Sequence, residues 1–175
     1  AIDNLSSGTK KNIEHCQNHP NFTYIEDDII TCSDLGEIIK EVDCILNFAS
    51  SVGMFHVIDN PIYTLHNNTM VLSRILQEVA KAPNKPLVVH SSSSEVYGSN
   101  EQPMKETDPS VIFSSIKSHA SYPISKLYNE IDAFSYHQQK QIPVIVLRIF
   151  NTVGPRQSRH YGMVLPRFLH QAMNN

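Results

Sequence analysis

No apolar run in these 175 residues approaches the roughly 18–20 residues that a helix needs to cross a bilayer. The first residues, AIDNLSSG, contain neither the basic nor the apolar stretch of a secretory signal. An excess of positive charge is missing too, because 14 basic residues face 17 acidic ones and the formal net charge is −3. The composition therefore gives no reason to expect a nucleic acid or a membrane as partner.

Cysteine is scarce, and its spacing argues against the usual cysteine-based sites. Cys16, Cys32 and Cys44 are odd in number and form no CxxC pair. We therefore expect neither a disulfide framework nor a zinc site, and a reducing compartment, the cytoplasm, fits best. The nine histidines include no HExxH pair, so we expect no metal ligands among them.

Linkers, repeats and low-complexity tracts are also lacking, which predicts one domain over residues 1–175. Short apolar segments alternate with amphipathic ones. The predicted strands are 22–25, 42–48, 87–90 and 143–150, with the end of another at 1–3, and the predicted helices are 34–41, 61–81, 122–140 and 164–173. Such alternation predicts an α/β fold with a parallel sheet covered on both faces. Ligands bind at the carboxyl ends of the strands in these sheets.

Three polar segments lie where this rule places a site. Residues 91–98, SSSSEVYG, directly follow the predicted strand at 87–90, and residues 148–156, RIFNTVGPR, close the last strand. Between them, Tyr122 and Lys126 form a YxxxK pair at the start of a predicted helix. Arg148 lies inside its strand and is expected to be structural.

The YxxxK spacing has a chemical rationale. Residues four apart share one helix face, so the Lys126 ammonium is expected close to the Tyr122 phenol. A nearby cation favours phenolate and would lower the tyrosine pKa from about 10, making Tyr122 a general base near neutral pH. The Ser93 hydroxyl would hold the same substrate oxygen in line. A YxxxK pair alone is more often a solvated helix pair, and only the two neighbouring segments favour the catalytic interpretation.

Together these segments resemble the extended short-chain dehydrogenases that modify nucleotide sugars, the NAD-dependent epimerase/dehydratase family. The resemblance covers essentially the whole chain and implies a Rossmann-type doubly wound parallel sheet with NAD as cofactor. Ser93, Tyr122 and Lys126 match the catalytic trio, and Glu95 joins them as a catalytic candidate. Cofactor contacts are implied for Asp3, Asn4, Asp28, Ile29, Phe48, Ala49, Ser50, Asn68, Tyr122 and Lys126, and substrate contacts for Ser93, Ser94, Asn151 and Arg156.

Some implied roles have plainer alternatives. In this family the aspartate at the position of Asp3 binds the adenosine ribose, and its carboxylate favours NAD over NADP because it would repel a 2′-phosphate. Asp3 is also a residue type that caps helices. The resemblance further implies a homodimer formed through the helices at 61–81 and 122–140.

The chain also departs from the family pattern. The first strand and its Gly-rich loop, which should precede Asp3 by about 20 residues, are absent, as is the substrate domain that follows the last helix. Val71 stands where the family's NxxGT motif has glycine, if Asn68 is its asparagine. We therefore expect a partial NAD-binding domain, part of a longer enzyme and potentially inactive alone.

Residues 94 and 95 narrow the choice among the reactions of this family. Related 4,6-dehydratases carry Asp-Glu there, and Ser94 cannot easily replace the acid because its pKa is far too high. The Ser-Glu pair resembles that of UDP-glucuronate decarboxylases, so a UDP-sugar 4-epimerase and a UDP-glucuronate decarboxylase remain nearly even, with a slight preference for a uronic acid substrate. A 4,6-dehydratase and a non-catalytic dinucleotide-binding sensor are the alternatives.

Overall fold

The computed structural model describes residues 1–99, 103–111, 117–157 and 164–174. Its sheet has three parallel strands in the order β1-β2-β3, which are Cys44–Asn47, Leu87–Ser93 and Val144–Ile149. The α-helices are α1 Leu35–Lys40, α2 Met54–Asp59, α3 Pro61–Lys81, α4 Ser121–Lys140 and α5 Val164–Asn174. Short 3-10 helices are formed by Lys10–Cys16, Ser94–Tyr97 and Ser118–Ala120. The predicted parallel α/β architecture is confirmed.

The crossover helix α3 shows how the sequence sets these elements. Pro61 occupies its first turn, where a missing N–H costs no hydrogen bond, and the helix ends at Lys81 just before Pro83. Its apolar residues recur at helical spacing and form one buried side, consisting of Val71, Leu72, Ile75, Leu76 and Val79. Each fully buried leucine or isoleucine contributes about 1.5–3 kcal/mol. This side fixes α3 against the sheet.

The main core lies between α3 and the sheet, and α1 closes one end of it. Leu35 and Ile39 of α1 pack into the same cluster as Val88 of β2. Ala133 of α4 and Ile142, which follows that helix, extend the cluster toward β3. Helix α4 is thereby held alongside α3, with the first turns of α4 beside the carboxyl end of β2.

The strand predicted at 22–25 is wrong. Only Ile25 pairs, in a single parallel bridge with Ile2, which itself was expected at a strand end. Beyond Ile25 the chain turns, because the Asp28 carboxylate accepts the Ile30 N–H at 2.8 Å and so binds backbone that a ladder would need. A second difference is α2, which the sequence pattern did not reveal.

Strand β2 runs three residues further than predicted. Ser91, Ser92 and Ser93 are in the strand, because their backbone continues the ladder with β3 as far as the pair Ser93–Ile149.

Within the part of the chain that the structure describes, no helix combines the length and apolarity needed to cross a membrane. The same residues contain no group of metal-ligating side chains, and all three cysteines are free.

Candidate active site

The carboxyl end of β2 turns sharply and presents two predicted site residues. The Ser93 hydroxyl accepts the Glu95 N–H at 3.2 Å and caps the 3-10 helix Ser94–Tyr97. Gly98 ends this turn with φ +64°, and a Cβ there would lie 2.0 Å from the Val111 carbonyl oxygen. Only glycine fits this position, so the turn requires Gly98.

Tyr122 and Lys126 occupy the first turns of α4, on one face as predicted. The Lys126 ammonium is 5.8 Å from the centroid of the Tyr122 ring. It donates a 2.7 Å hydrogen bond to the Ser91 carbonyl, and the residue is only 2% exposed. Burial lowers the pKa of Lys126 from 10.5 to about 8. The ammonium is therefore held by the end of β2 in a poorly solvated position.

The expected lowering of the tyrosine pKa is wrong for the protein alone. Burial raises the pKa of Tyr122 above 10.0, a hydrogen bond with Ser93 opposes this, and the charge of Glu95 adds to the rise. Lys126 is not among the causes: its ammonium is hydrogen-bonded to the Ser91 carbonyl and lies 5.8 Å from the centroid of the ring. Ser93, Glu95 and Tyr122 are nevertheless brought together, as the sequence predicted.

Glu95 reaches the surface beside Tyr122. The surrounding protein desolvates its carboxyl group and raises its pKa, while the nearby His119 lowers it. A carboxyl group whose pKa is raised keeps its proton more readily and is suited to exchange it with a ligand. The arrangement thus combines two hydroxyl groups, an ammonium and a carboxyl group around the carboxyl end of β2.

A cavity of about 580 Å³ runs along the strand ends from the N-terminal segment to α3. Seven of the predicted cofactor residues line it, namely Asp3, Asn4, Asp28, Ile29, Phe48, Ala49 and Ser50. At one end the Asn4 amide donates to the Asp28 carboxylate at 2.9 Å. Along the wall the Ser50 hydroxyl is buried without a hydrogen-bond partner among the described residues. An acidic end, apolar walls and an unpaired hydroxyl suit an extended ligand with a ribose and a flat ring.

Asn68 supports this cavity from behind. Its Oδ1 accepts the Ser51 N–H at 2.6 Å, and its Nδ2 donates to the Ser51 carbonyl at 3.2 Å. The same Nδ2 donates to the Ser125 hydroxyl at 3.1 Å, and that hydroxyl donates to the Tyr122 carbonyl at 2.7 Å. Asn68 therefore joins the cavity wall to the helix that carries Tyr122.

The predicted substrate residues are less closely grouped. Ser94 follows Ser93 directly, and Asn151 is exposed just beyond β3, whose Ile149 pairs with Ser93. Arg156 instead donates to the Asn12 carbonyl at 3.4 Å and lies 3.5 Å from the His15 ring. The described contacts of Arg156 thus lie with the N-terminal 3-10 helix.

Arg148 is structural, as expected from its place in the strand. Its guanidinium donates to both carboxylate oxygens of the buried Glu130, the shortest contact being 2.8 Å, and stacks 4.5 Å from the Tyr97 ring. Its remaining donor contacts the Glu106 carbonyl at 3.3 Å. The strand, α4 and the turn after β2 are thereby tied together.

Sequence reasoning missed the buried polar residues behind the site. His90, Asn47 and Asn129 are at most 3% exposed and lie in contact with one another. A signal was present, because His90 ends an apolar run, LVVH, that predicts a buried strand. Asn129 likewise falls three residues after Lys126, on the helix face that Lys126 occupies.

The chain is similar to known proteins over its whole length. The model described as the NAD dependent epimerase/dehydratase family matches residues 1–175. UDP-glucuronic acid decarboxylase 1 of Xenopus tropicalis is 34% identical over 172 residues, which are 98% of this chain and 39% of that protein. UDP-N-acetyl-alpha-D-glucosaminuronate decarboxylase of Bacillus cytotoxicus is 30% identical over 173 residues, 98% of this chain and 52% of that protein.

Solved structures with the same fold include sugar epimerases. UDP-N-acetylglucosamine 4-epimerase from Methanobrevibacter ruminantium, in complex with UDP-N-acetylmuramic acid, has a TM-score of 0.86 at 31% identity. UDP-glucuronic acid 4-epimerase from Bacillus cereus, in complex with NAD, has a TM-score of 0.83 at 26% identity. In both cases the match covers 99% of this chain and 54% of the other. The chain thus spans about two fifths to about half of the length of these relatives.

Proposed function

This chain belongs to the NAD-dependent epimerase/dehydratase family, and from that membership and the site geometry we propose that it is part of an NAD-dependent enzyme that decarboxylates a UDP-uronic acid. The observation that carries the proposal is the grouping of Ser93, Glu95 and Tyr122 at the end of β2. A cavity suited to a dinucleotide runs along the neighbouring strand ends. We further propose that residues 1–175 form one partial NAD-binding domain.

The residues that line the cavity fit the proposed cofactor. Asp3 and Asn4 would hold the adenosine ribose, and Asp28 with Ile29 would lie beside the adenine. Phe48, Ala49 and Ser50 would form the wall along the dinucleotide, and the unpaired Ser50 hydroxyl would gain a partner there. When bound, oxidised NAD supplies a hydride acceptor and a positive ring charge that favours the phenolate form of Tyr122.

The side chains at the carboxyl end of β2 would have different roles in the first step of the reaction. Tyr122 takes the proton of the C4 hydroxyl as that carbon is oxidised, and Ser93 holds the same oxygen in line. Asn68 would support the cofactor side from behind Ser51. Lys126 would hold the nicotinamide ribose with the ammonium protons that its hydrogen bond to the Ser91 carbonyl leaves free. Ser94, Asn151 and Arg156 are proposed to contact the sugar nucleotide, and for Arg156 this would require leaving its contact with Asn12.

A uronic acid oxidised at C4 is a β-keto acid, and this chemistry favours decarboxylation. The C5–C6 bond breaks, carbon dioxide leaves, and the electron pair moves into the C4 carbonyl as an enolate. C5 then takes a proton, and C4 is reduced again while Tyr122 returns its proton. Glu95 lies beside Tyr122 with a raised pKa, so it is placed to face the substrate carboxylate or to deliver the C5 proton.

A 4-epimerase is the second candidate, because the same residues perform the first oxidation. Two solved relatives with TM-scores of 0.86 and 0.83 are named as UDP-sugar 4-epimerases. An epimerase would return hydride to the opposite face of C4 and leave the carboxylate in place. Dehydration is disfavoured because Ser94 stands where an acid would be required.

The products separate these reactions. Full-length protein would be incubated with UDP-glucuronate and, separately, with UDP-glucose, and the products read by mass spectrometry and proton NMR. We expect UDP-glucuronate to lose the mass of one carbon dioxide. Unchanged mass with an inverted C4 signal would establish the epimerase instead, and no product from either sugar would contradict the proposed function.

We also propose that the full-length protein is a homodimer formed through α3 and α4. These helices pack against each other, and Ser73 of α3 donates to Asp132 of α4 at 2.7 Å. Their outer surfaces nevertheless expose large apolar side chains, which are Ile62 and Met70 on α3 and Tyr128, Ile131 and Phe134 on α4. A second copy would cover this surface.

Because no cysteine is paired, we propose the cytoplasm as the compartment of the protein.

A further inference from the structure

A cluster of polar side chains is buried behind the site. Its members are Asn47, Asn68, His90, Ser125, Lys126 and Asn129, each at most 3% exposed. Burying amides, an imidazole and an ammonium is unfavourable unless their polar atoms find partners. Replacing buried charged groups by apolar residues of similar volume is often neutral or stabilising in proteins, so stability alone does not account for the cluster.

His90 lies at the centre of the cluster and contacts two asparagines. Its Nδ1 is 3.1 Å from the Asn47 Nδ2, and its Nε2 is 3.4 Å from the Asn129 Nδ2. The Asn47 Oδ1 accepts the Ala49 N–H at 3.2 Å, which turns the Nδ2 donor toward the ring. Nδ1 therefore accepts a hydrogen bond, and the proton of the neutral imidazole is on Nε2.

The two asparagines belong to opposite sides of the site. Asn47 ends β1 and begins the cavity wall at 47–51, and its carbonyl accepts the Ser91 hydroxyl at 3.1 Å. Asn129 lies on α4 one turn after Lys126, and its Nδ2 donates to the Asn68 carbonyl at 3.0 Å. His90 thus connects the wall of the cavity with the helix that carries the proposed base.

The hydrogen bonds of Asn129 leave one of its buried polar atoms unpaired. Its Oδ1 is buried and has no partner among the described residues, although such an acceptor is unfavourable when left unpaired. With the ring proton on Nε2, the Asn129 Nδ2 that faces it does not donate to the ring; rotating the amide would offer the oxygen to that proton but would give up the Nδ2 hydrogen bond to the Asn68 carbonyl. Asn129 therefore pairs with the Asn68 carbonyl in the observed orientation and would pair with the His90 ring only in the rotated one.

We propose that His90 and Asn129 are positioning residues that hold the cavity wall at 47–51 and helix α4 in one relative position. The inference rests on the proposed function, since it concerns how Tyr122 meets the reacting end of the cofactor. A displacement of about 1 Å between reacting groups lowers a rate about 100-fold. The loss falls on kcat, because the surfaces that bind the cofactor and the sugar are themselves unchanged.

Two conservative variants of the full-length enzyme separate the two contacts of His90. His90→Asn keeps an amide where Nδ1 was and retains the contact with Asn47, whereas His90→Gln places an amide where Nε2 was and retains the contact with Asn129. We expect each to lower kcat about 10- to 100-fold, with KM for the sugar and Kd for NAD changed less than about threefold. His137→Asn is the matched control, because His137 contacts the Ile142 carbonyl at 2.8 Å at the far end of α4.

A role in packing alone predicts a different result. Wild-type kcat in either His90 variant would overturn the proposal, as would a loss of kcat matched by an equal loss of protein able to bind NAD. Should the wild type turn over no sugar nucleotide, the proposed function fails by itself. NMR then decides, because the Lys126 ammonium on the Ser91 carbonyl should exchange slowly in the wild type and in His137→Asn but not in the His90 variants. A slow signal in all of them, or in none, overturns the proposal.

Discussion

The buried ammonium of Lys126 makes a quantitative prediction about stability. Its pKa is about 8 in the folded chain, against 10.5 for a lysine in water, so charging it costs about 3 kcal/mol more in the fold than in water. Between these two values the unfolded state binds the proton that the folded state has lost, and stability therefore rises with pH. Integrated from about pH 7 to about pH 9.5, this rise amounts to about 2 kcal/mol.

Replacing Lys126 by methionine removes this titration. At neutral pH the variant no longer buries an ammonium, which is favourable, but it leaves the Ser91 carbonyl without a donor, which costs about 1–3 kcal/mol. We therefore expect the wild type and Lys126→Met to have similar free energies of unfolding at that pH. As the pH rises, the free energy of unfolding of the wild type should increase by about 2 kcal/mol relative to that of Lys126→Met. Urea unfolding of the full-length proteins at several pH values measures this difference directly.

The control for this experiment is Lys140→Met, which removes an exposed lysine from the end of the same helix. It should leave the pH dependence of the wild type intact. Parallel stability curves for the wild type and Lys126→Met across this range would refute the reasoning, because they would mean that Lys126 titrates alike in the folded and unfolded states.

Three further predictions concern single residues. Gly98→Ala should lower the free energy of unfolding, measured in urea, by about 2 kcal/mol or more, because the new Cβ would lie 2.0 Å from a carbonyl oxygen and the φ angle is +64°. Gly154→Ala is its control and should be neutral, because a Cβ there meets nothing within 4 Å. Glu95→Gln should lower the pKa of Tyr122, because the carboxylate charge raises it, and the tyrosine titration read by ultraviolet absorbance should shift to lower pH; an unchanged titration would contradict that contact. Ile131→Asp should convert the full-length dimer to monomer by light scattering, and Gln138→Asp, an exposed change on the same helix, should not; a dimer in both would exclude this face.

Much of the fold could be predicted because its long elements carry strong periodic patterns. Helix α3 runs over Pro61–Lys81 as predicted, with proline at its start and apolar residues at helical spacing. Helix α2 was missed because six residues, Met54–Asp59, are too few to show a period. The segment at 22–25 has strand composition, but only one residue finds a partner strand, and pairing is a tertiary property.

The site was predicted in its parts but not in its electrostatics. Motif spacing and family resemblance selected Ser93 and Tyr122, and the structure brings them together. The direction of the Tyr122 pKa was wrong, because helical spacing places Lys126 on the same face without showing that the phenol is buried, and burial is what raises its pKa. The contacts of His90 could not be read from the sequence either, since they join residues about 40 positions apart.

The central claim is that Tyr122 is the base of a reaction at the sugar. The most direct test is turnover of UDP-glucuronate by full-length Tyr122→Phe beside Tyr128→Phe, which removes an exposed phenol from the same helix. The account predicts that Tyr122→Phe loses about 100- to 10,000-fold in kcat, while it still binds NAD, and that Tyr128→Phe stays near the wild type. Turnover by Tyr122→Phe within about tenfold of the wild type would contradict it.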